Sequence, residues 1–391
     1  MSLTGQIIFM PWVSIPQAVT VAGFRFAPID VKDPISVVGP EMAPTVAMAL
    51  SPYVDRRSHQ IESCTIMLRP RHQQSWNIPD RMWGSARRAA EILALSCLAE
   101  QRFMEGHFSP HLNATMFQII GQRITAGSDQ IGLFYPRRGG GLRVGGVRFK
   151  DVVFQRPSQV EGTRCEVVNV RLARALTKAS RSKSPIWDPI ASSLEFFLLG
   201  NAEVPELDWE SCIMLSAMAF ERLLEPAQAN AQGVAEALAN LWAPYASRTL
   251  AQAKRVKPDN KPDFAKVQQE WPLHRKWMKE LYEARSSRAH RGPRSVFSQN
   301  WKNWQHMVIA AFVYPLAVKL KLANAGLYQL SAREKGGCEA LDRLLDSHWG
   351  KGWKKDPEWS KILSMAEAEH EWLRIIEEAY DETTRKGEQG S

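Results

Sequence analysis

"KASRSKSP", residues 178–185, separates two kinds of hydrophobic pattern. It is basic, serine-rich and closed by proline, a composition that interrupts regular structure. On its N-terminal side run short β-branched and aromatic stretches broken by Pro and Gly: "QIIFMPWV", "ISVVG", "CTIML", "MFQIIG", "QIGLFY", "LRVGGVRF" and "DVVFQ". Runs of that length and composition predict strands. One helix interrupts them, "SARRAAEILALSCLAEQRF", with apolar residues at helical spacing and Ser85 placed to cap it.

Beyond residue 185 the pattern is helical. "DWESCIMLSAMAFERLLEP" begins with Asp208 as a cap, is apolar on most faces and stops before Pro226, as a helix buried in a bundle would. "DFAKVQQEWPLHRKWMKELYEARSS" reads as a longer helix in which Pro272 marks a kink or a fresh start. "NWQHMVIAAFVYPLAVKLKL" is apolar nearly all round. The chain is therefore expected to be α+β: a β-rich N-terminal recognition or sensor domain (1–180), an all-α helical bundle (187–325), and a helical C-terminal appendage (331–391) ending in a disordered tail. A length of 391 residues also exceeds what one ordinary core organises.

Composition narrows the function classes. Lys and Arg number 50 against 41 Asp and Glu, a net charge of +9, which favours an anionic partner such as nucleic acid. The five cysteines are widely spaced, without a Cys-x-x-Cys pair, so they read as reduced, mostly buried thiols and not as a zinc site or a secreted scaffold. The N-terminus lacks a basic segment before its apolar stretch, and the longest apolar run, Met307–Val318, is too short to span a bilayer. A cytoplasmic protein without a membrane partner is expected.

The chemistry-bearing stretch is "YEARSSRAHRGP", residues 282–293, in which four residues separate Arg285 from His290. Metal-independent RNA cleavage needs a proton acceptor for the ribose 2′-hydroxyl, a proton donor for the leaving 5′-oxygen, and a cation for the crowded phosphorane. Histidine titrates near working pH and fills either proton role. Arginine offers a permanently charged fork that matches phosphate oxygens. The spacing alone is weak, since nine His and 31 Arg in 391 residues supply roughly 0.7 Arg-x4-His matches by chance. The chain has three, and the rivals, Arg102 to His107 and Arg343 to His348, each enclose an acid that would repel phosphate.

Only the 285–290 match has a polar Ser286 after its Arg, a further cation, Arg288, inside it, and Arg291 and Arg294 beyond. On an ideal helix the two positions stand about 140° apart. The reading therefore expects the helix to loosen between them, aided by Gly292 and Pro293. Arg and His at a helix C-terminus also suit the macrodipole without any catalytic role.

"LYEARSSRAHRG", preceded by "CIMLSAMAFERLL" and followed by "MVIAAFVYPLAV", resembles the HEPN domain, an α-helical bundle found in many prokaryotic toxins, ribonucleases and antiviral effectors. Its signature is Arg, a polar residue, variable positions and His, commonly trailed by Gly; Asn, Asp or His is more usual where this chain has Ser286. The resemblance covers roughly residues 187–325. It implies Arg285 and His290 as the catalytic pair with Ser286 at the polar position, no cofactor, 2′,3′-cyclic phosphate products, and a homodimer that joins two copies of the pair. The alternative is a non-catalytic HEPN-like module that dimerises, docks a partner or holds nucleic acid.

Other cations form secondary candidates. Arg275, Lys276, Lys279, Arg288, Arg291 and Arg294, interleaved with Trp271, Trp277 and Tyr282, either track RNA by charge and stacking or form a solvated basic face with the aromatics turned inward. Arg137, Arg138, Arg143 and Arg148, with Lys150, surround a glycine-rich loop able to approach an anion, or simply a hairpin tip. Arg171, Arg174, Lys178 and Arg181 would make one basic stripe on a helix, or belong to a linker. A regulatory protein or nucleic acid is expected at the N-terminal domain. A lone Glu-x-x-His, Glu367 to His370, is too little for a metal site.

Overall fold

The computed structural model describes Leu3–Leu363 except residues 56–57, 71–74, 101–112, 138–139, 156–163, 183, 203, 205–206, 261, 292–299, 348 and 350–357. For residues 133–137, 140–144, 155, 164–165, 262–264, 286–291, 358 and 360 the backbone alone is described. The fold is α+β. Two compact units are present: one holds the described residues of Met1–Gln101, Asn113–Trp187 and Ala202–Glu206, the other those of Asp188–Asn201 and Leu207–Ser391.

The first unit is built on β1 (Thr4–Met10), β2 (Val13–Ser14), β3 (Val19–Val21), β4 (Phe24–Asp30), β5 (Tyr53–Val54), β6 (Ser63–Leu68), β7 (Ile120–Thr125), β8 (Gln130–Arg137), β9 (Gly140–Arg148), β10 (Phe154–Gln155) and β11 (Arg164–Cys165). Seven of these form an antiparallel sheet in the order β3-β4-β6-β1-β7-β8-β9. Successive side chains of a strand point to opposite faces, and in β1 both sets are buried. Ile7 and Phe9 join a core with Ile29, Ile66 and the helix α2 (Ala43–Leu50), while Ile8 and Met10 fill the other face. A short turn of helix, α1 (Ile35–Val38), stands where "ISVVG" reads as a strand. Four residues after Pro34 close as a helical turn, with Gly39 at its end at φ +83°, a conformation that suits glycine.

The interrupting helix, α3 (Trp83–Leu98), starts two residues before Ser85, so Ser85 lies inside it and caps nothing; its N-cap position is Met82. A further helix, α4 (Val170–Arg181), runs through the first half of the "KASRSKSP" stretch, capped by Asn169, whose Oδ1 accepts from Leu172 N–H at 2.9 Å. It packs against α3 and β3.

The second unit contains α5 (Trp187–Gly200, with Trp187 in the first unit), α6 (Trp209–Leu224), α7 (Ala231–Trp242), α8 (Pro262–Gln268), α9 (Leu273–Arg291), α10 (Asn303–Asn324), α11 (Ala332–Leu345) and α12 (Glu358–Ile362). Asp208 caps α6 as read, accepting from Ser211 N–H at 2.7 Å. Pro272 marks a fresh start, since α8 ends at Gln268 and α9 begins at Leu273. The helix α9 packs on α6, α7 and α11, and its residues from Leu273 to Ala284 are largely buried.

Aromatic stacking fixes this core. Tyr314 of α10 stacks on Phe197 with centroids 4.1 Å apart, Phe220 meets both Tyr314 and Trp277 edge-on, and Tyr314 Oη lies 2.6 Å from Ser193 Oγ. Edge and stacked pairs each add about 1 kcal/mol beyond burial. By length and composition α10 is sufficient to cross a membrane, unlike the shorter run Met307–Val318 within it. Of its most apolar window 83% is buried inside the protein. The C-terminal tail, Glu367 and His370 lie outside the described residues.

Candidate functional site

The candidate site is built along α9. In its first turn His274 is fully buried and its Nδ1 lies 2.8 Å from Asp342 Oδ1 of α11. The Asp342 carboxylate also accepts from the backbone N–H groups of His274, Ser247 and Arg248. Burial works to raise its pKa, but these hydrogen bonds and His274 hold it below the usual carboxylate range. An Asp–His pair also orients the base of a nucleophilic triad, yet His274 Nε2 is buried with no hydrogen-bond partner among the described residues. The pair is therefore a structural clasp between α9, α11 and the 247–248 segment.

Two residues on, Lys276 is fully buried, paired with Asp259 and, at 3.2 Å, with Glu280. Lys279 pairs with Asp259 at 2.9 Å and with Glu283. A buried ammonium needs such partners, because leaving water uncompensated costs several kcal/mol. Neither lysine is available to RNA, which corrects the reading of both as part of a surface track. Arg275 lies over Trp271 at 4.2 Å and 3.8 Å from Glu236. Trp271, Trp277 and Tyr282 are all buried, so the aromatics face the core and offer no base-stacking platform.

At the far end of the buried stretch sits Arg285. Its Nη1 donates to Glu221 Oε2 of α6 at 2.7 Å, its guanidinium lies 4.8 Å from the Tyr282 ring, and its side chain keeps 28% of its exposure. Tyr282 in turn donates its hydroxyl to Ala229 O at 3.1 Å. Arg285 is thus positioned from two sides while still reaching solvent.

The backbone of Ser286, Arg288, His290 and Arg291 continues α9 without a break; their side chains lie outside the described residues, as does Arg294 entirely. The expected loosening between Arg285 and His290 is therefore absent, because helical hydrogen bonding persists to Arg291 before Gly292 and Pro293 are reached. On one continuous helix the 285 and 290 positions remain about 140° apart around the axis.

Sequence reasoning missed Glu221, Asp259, Glu280, Asp342 and His306. Buried His306, edge-on to Trp301 at 6.0 Å, is held neutral: burial lowers its pKa to about 4, against the opposing pull of Glu280. Glu221, Asp259 and Asp342 meet their partners from other parts of the chain, which no local pattern marks, whereas Glu280 lies only four residues from Lys276 and His306 five from Trp301. The rival match at Arg343 to His348 is partly explained by Asp346, which accepts from Lys254 and Arg255 N–H and from Arg248 and so organises a loop. His348 and the match at Arg102 to His107 lie outside the described residues.

In the first unit, Arg137 and Arg143 lie on the β8–β9 hairpin, where Arg137 pairs with Gly140 in register and Arg143 with Phe134; Arg138 is outside the described residues. Arg148 is exposed and 3.6 Å from Asp129. Cys64, Cys97, Cys212 and Cys338 are buried and unbridged. Among the described residues no group of three or more His, Cys, Asp or Glu is placed to hold a metal ion. Comparison of the chain with protein-family models, curated proteins and solved structures finds no match.

Proposed function

We propose that the chain is a metal-independent endoribonuclease of HEPN type, a cytoplasmic toxin or antiviral effector restrained by its N-terminal unit, with Arg285 and His290 as the catalytic pair and Ser286 beside them. The observation that supports this reading most is the placement of Arg285: partly exposed, oriented by Glu221 and Tyr282, and immediately ahead of the Ser286–His290 segment on the last turns of α9.

In the proposed reaction the RNA 2′-oxygen attacks the adjacent phosphorus while one His290 accepts its proton. The P–O5′ bond breaks, and a second His290 protonates the departing 5′-oxygen. Arg285 stabilises the charge that accumulates on the phosphorane. The products are a 2′,3′-cyclic phosphate and a 5′-hydroxyl. One helix cannot aim both residues of a pair at one phosphate from positions 140° apart, so a two-fold homodimer with two copies of the α9 end supplies the acceptor, the donor and two cations.

The alternative, a non-catalytic module for dimerisation or docking, draws on the same ion pair, because an arginine already matched to a carboxylate is also a purely structural arrangement. Incubating wild type and His290→Ala with total RNA in EDTA separates the two. The nuclease reading expects cleavage by wild type alone; equal cleavage by both, or none by either, favours the module.

A further inference from the structure

The strongest charged feature outside α9 is the helix α4. Its apolar side, Leu172, Ala173, Ala175, Leu176 and Ala179, is buried, and its exposed side carries Arg171, Arg174, Lys178 and Arg181 with no acid anywhere in the helix. Among the described residues Arg174, Lys178 and Arg181 have no ion-pair partner. From the first cation to the last the row extends about 15 Å along the axis.

The stripe is held rigidly. The β3–β4 hairpin turns through Ala22 and Gly23, both at positive φ, and Ala22 N–H donates to Thr177 Oγ1 of α4 at 3.0 Å. Gly23 lets the Arg181 guanidinium approach: a Cβ there would sit 3.3 Å from Arg181 Nη2.

A solvated helix face is normally laced with opposite charges three or four residues apart, because such pairs stabilise it and like pairs do the reverse. Here Arg171–Arg174, Arg174–Lys178 and Lys178–Arg181 are all like pairs. The helix macrodipole favours Lys178 and Arg181 in the last turn, but it disfavours Arg171 in the first. Arg174, Lys178 and Arg181, three successive cations without an ion-pair partner among the described residues, are the arrangement that a polyanion would neutralise.

We propose that the exposed face of α4 is a docking surface for the phosphate backbone of a nucleic acid. A membrane-surface helix would also need an apolar face to insert, and that face of α4 is already buried in the protein. The stripe carries no aromatic residue, so it reads charge without stacking on bases or recognising sequence. This surface belongs to the first unit and stands whether or not the second unit cuts RNA.

The test is fluorescence anisotropy of the full chain with a 2′-O-methyl RNA 20-mer, which no 2′-hydroxyl chemistry can cleave. It compares wild type, Arg174→Gln/Lys178→Gln/Arg181→Gln, and the charge-conserving Arg174→Lys/Lys178→Arg/Arg181→Lys. Each phosphate contact contributes about 0.7 to 0.9 to the slope of log affinity against log salt, so losing three lowers that slope by about 2 to 3. Between 50 and 200 mM salt wild type should therefore lose about 20- to 40-fold more affinity than the Gln variant. The charge-conserving variant should track wild type, and a 20-mer of scrambled sequence should bind equally. Unchanged slope and affinity in the Gln variant would overturn the proposal. So would a failure of the charge-conserving variant to bind, or loss only of binding to vesicles containing anionic lipid.

Discussion

Arg285 Nη1 donates to Glu221 Oε2 at 2.7 Å, so the last described side chain of α9 is tied to α6. Both groups are part-exposed, and an ion pair of that kind contributes about 1 kcal/mol or less to stability. Its larger effect is on position. Glu221→Gln should shift the urea unfolding free energy by less than about 1 kcal/mol while lowering kcat/KM for RNA cleavage roughly tenfold, which corresponds to about 1.4 kcal/mol of lost positioning. A rate equal to wild type would remove Glu221 from the site.

Asp342 collects three backbone N–H groups and His274 Nδ1. Asp342→Asn keeps the shape but replaces an acceptor oxygen with an amide that faces donors. Denaturant unfolding should show a loss of about 2 to 4 kcal/mol, with no change in RNA affinity. A loss below about 0.5 kcal/mol would contradict the clasp.

Lys276 provides the contrast between a buried and a surface cation. Lys276→Met should leave the salt dependence of RNA binding unchanged, because the ammonium has no solvent exposure, yet destabilise the fold by about 3 kcal/mol through the loss of the buried cation shared by Asp259 and Glu280. Anisotropy and denaturant titrations read the two effects separately. A flatter salt slope with intact stability would restore Lys276 to the RNA track.

Acid should unfold the protein in two overlapping windows. His306 has its pKa depressed to about 4, so the unfolded chain binds its proton first, and stability present above pH 6.5 falls as pH drops toward 4. Glu334 is held at about 2: burial opposes this, but Tyr328, Lys319 at 2.9 Å and Ser331 N–H override it. Its contribution is complete above about 4.5 and lost as pH falls toward 2. His306→Met should flatten the upper window alone. A pH profile of the urea midpoint that is unchanged between 6.5 and 4.5 would show that His306 does not titrate as described.

The α+β division, the Asp208 cap and an interruption at Pro272, kink or restart, were legible because each depends on residues adjacent in sequence. "ISVVG" misled because three apolar residues and a serine are too short a run to carry a period, so a strand and a helical turn read alike. Within α9 the cations look equivalent along the chain. Lys276 and Lys279 differ from the exposed cations of α4 by Glu280 and Glu283 four residues on, which the sequence displays, and by Asp259, which reaches them from outside α9 and which it does not. The pairings of Arg285 with Glu221 and His274 with Asp342 join residues 64 and 68 positions apart, beyond any local pattern.

The central claim is that Arg285 and His290 cut RNA with the substrate's own 2′-hydroxyl. It is tested most directly by mass spectrometry of the ends left on a short RNA in EDTA, alongside the same RNA bearing 2′-deoxyribose at the cut position. Wild type should yield a 2′,3′-cyclic phosphate and a 5′-hydroxyl from the first substrate and nothing from the second, and His290→Ala should yield neither product. Cleavage of the deoxy-substituted RNA, a 3′-hydroxyl with a 5′-phosphate, or undiminished cutting by His290→Ala would contradict it.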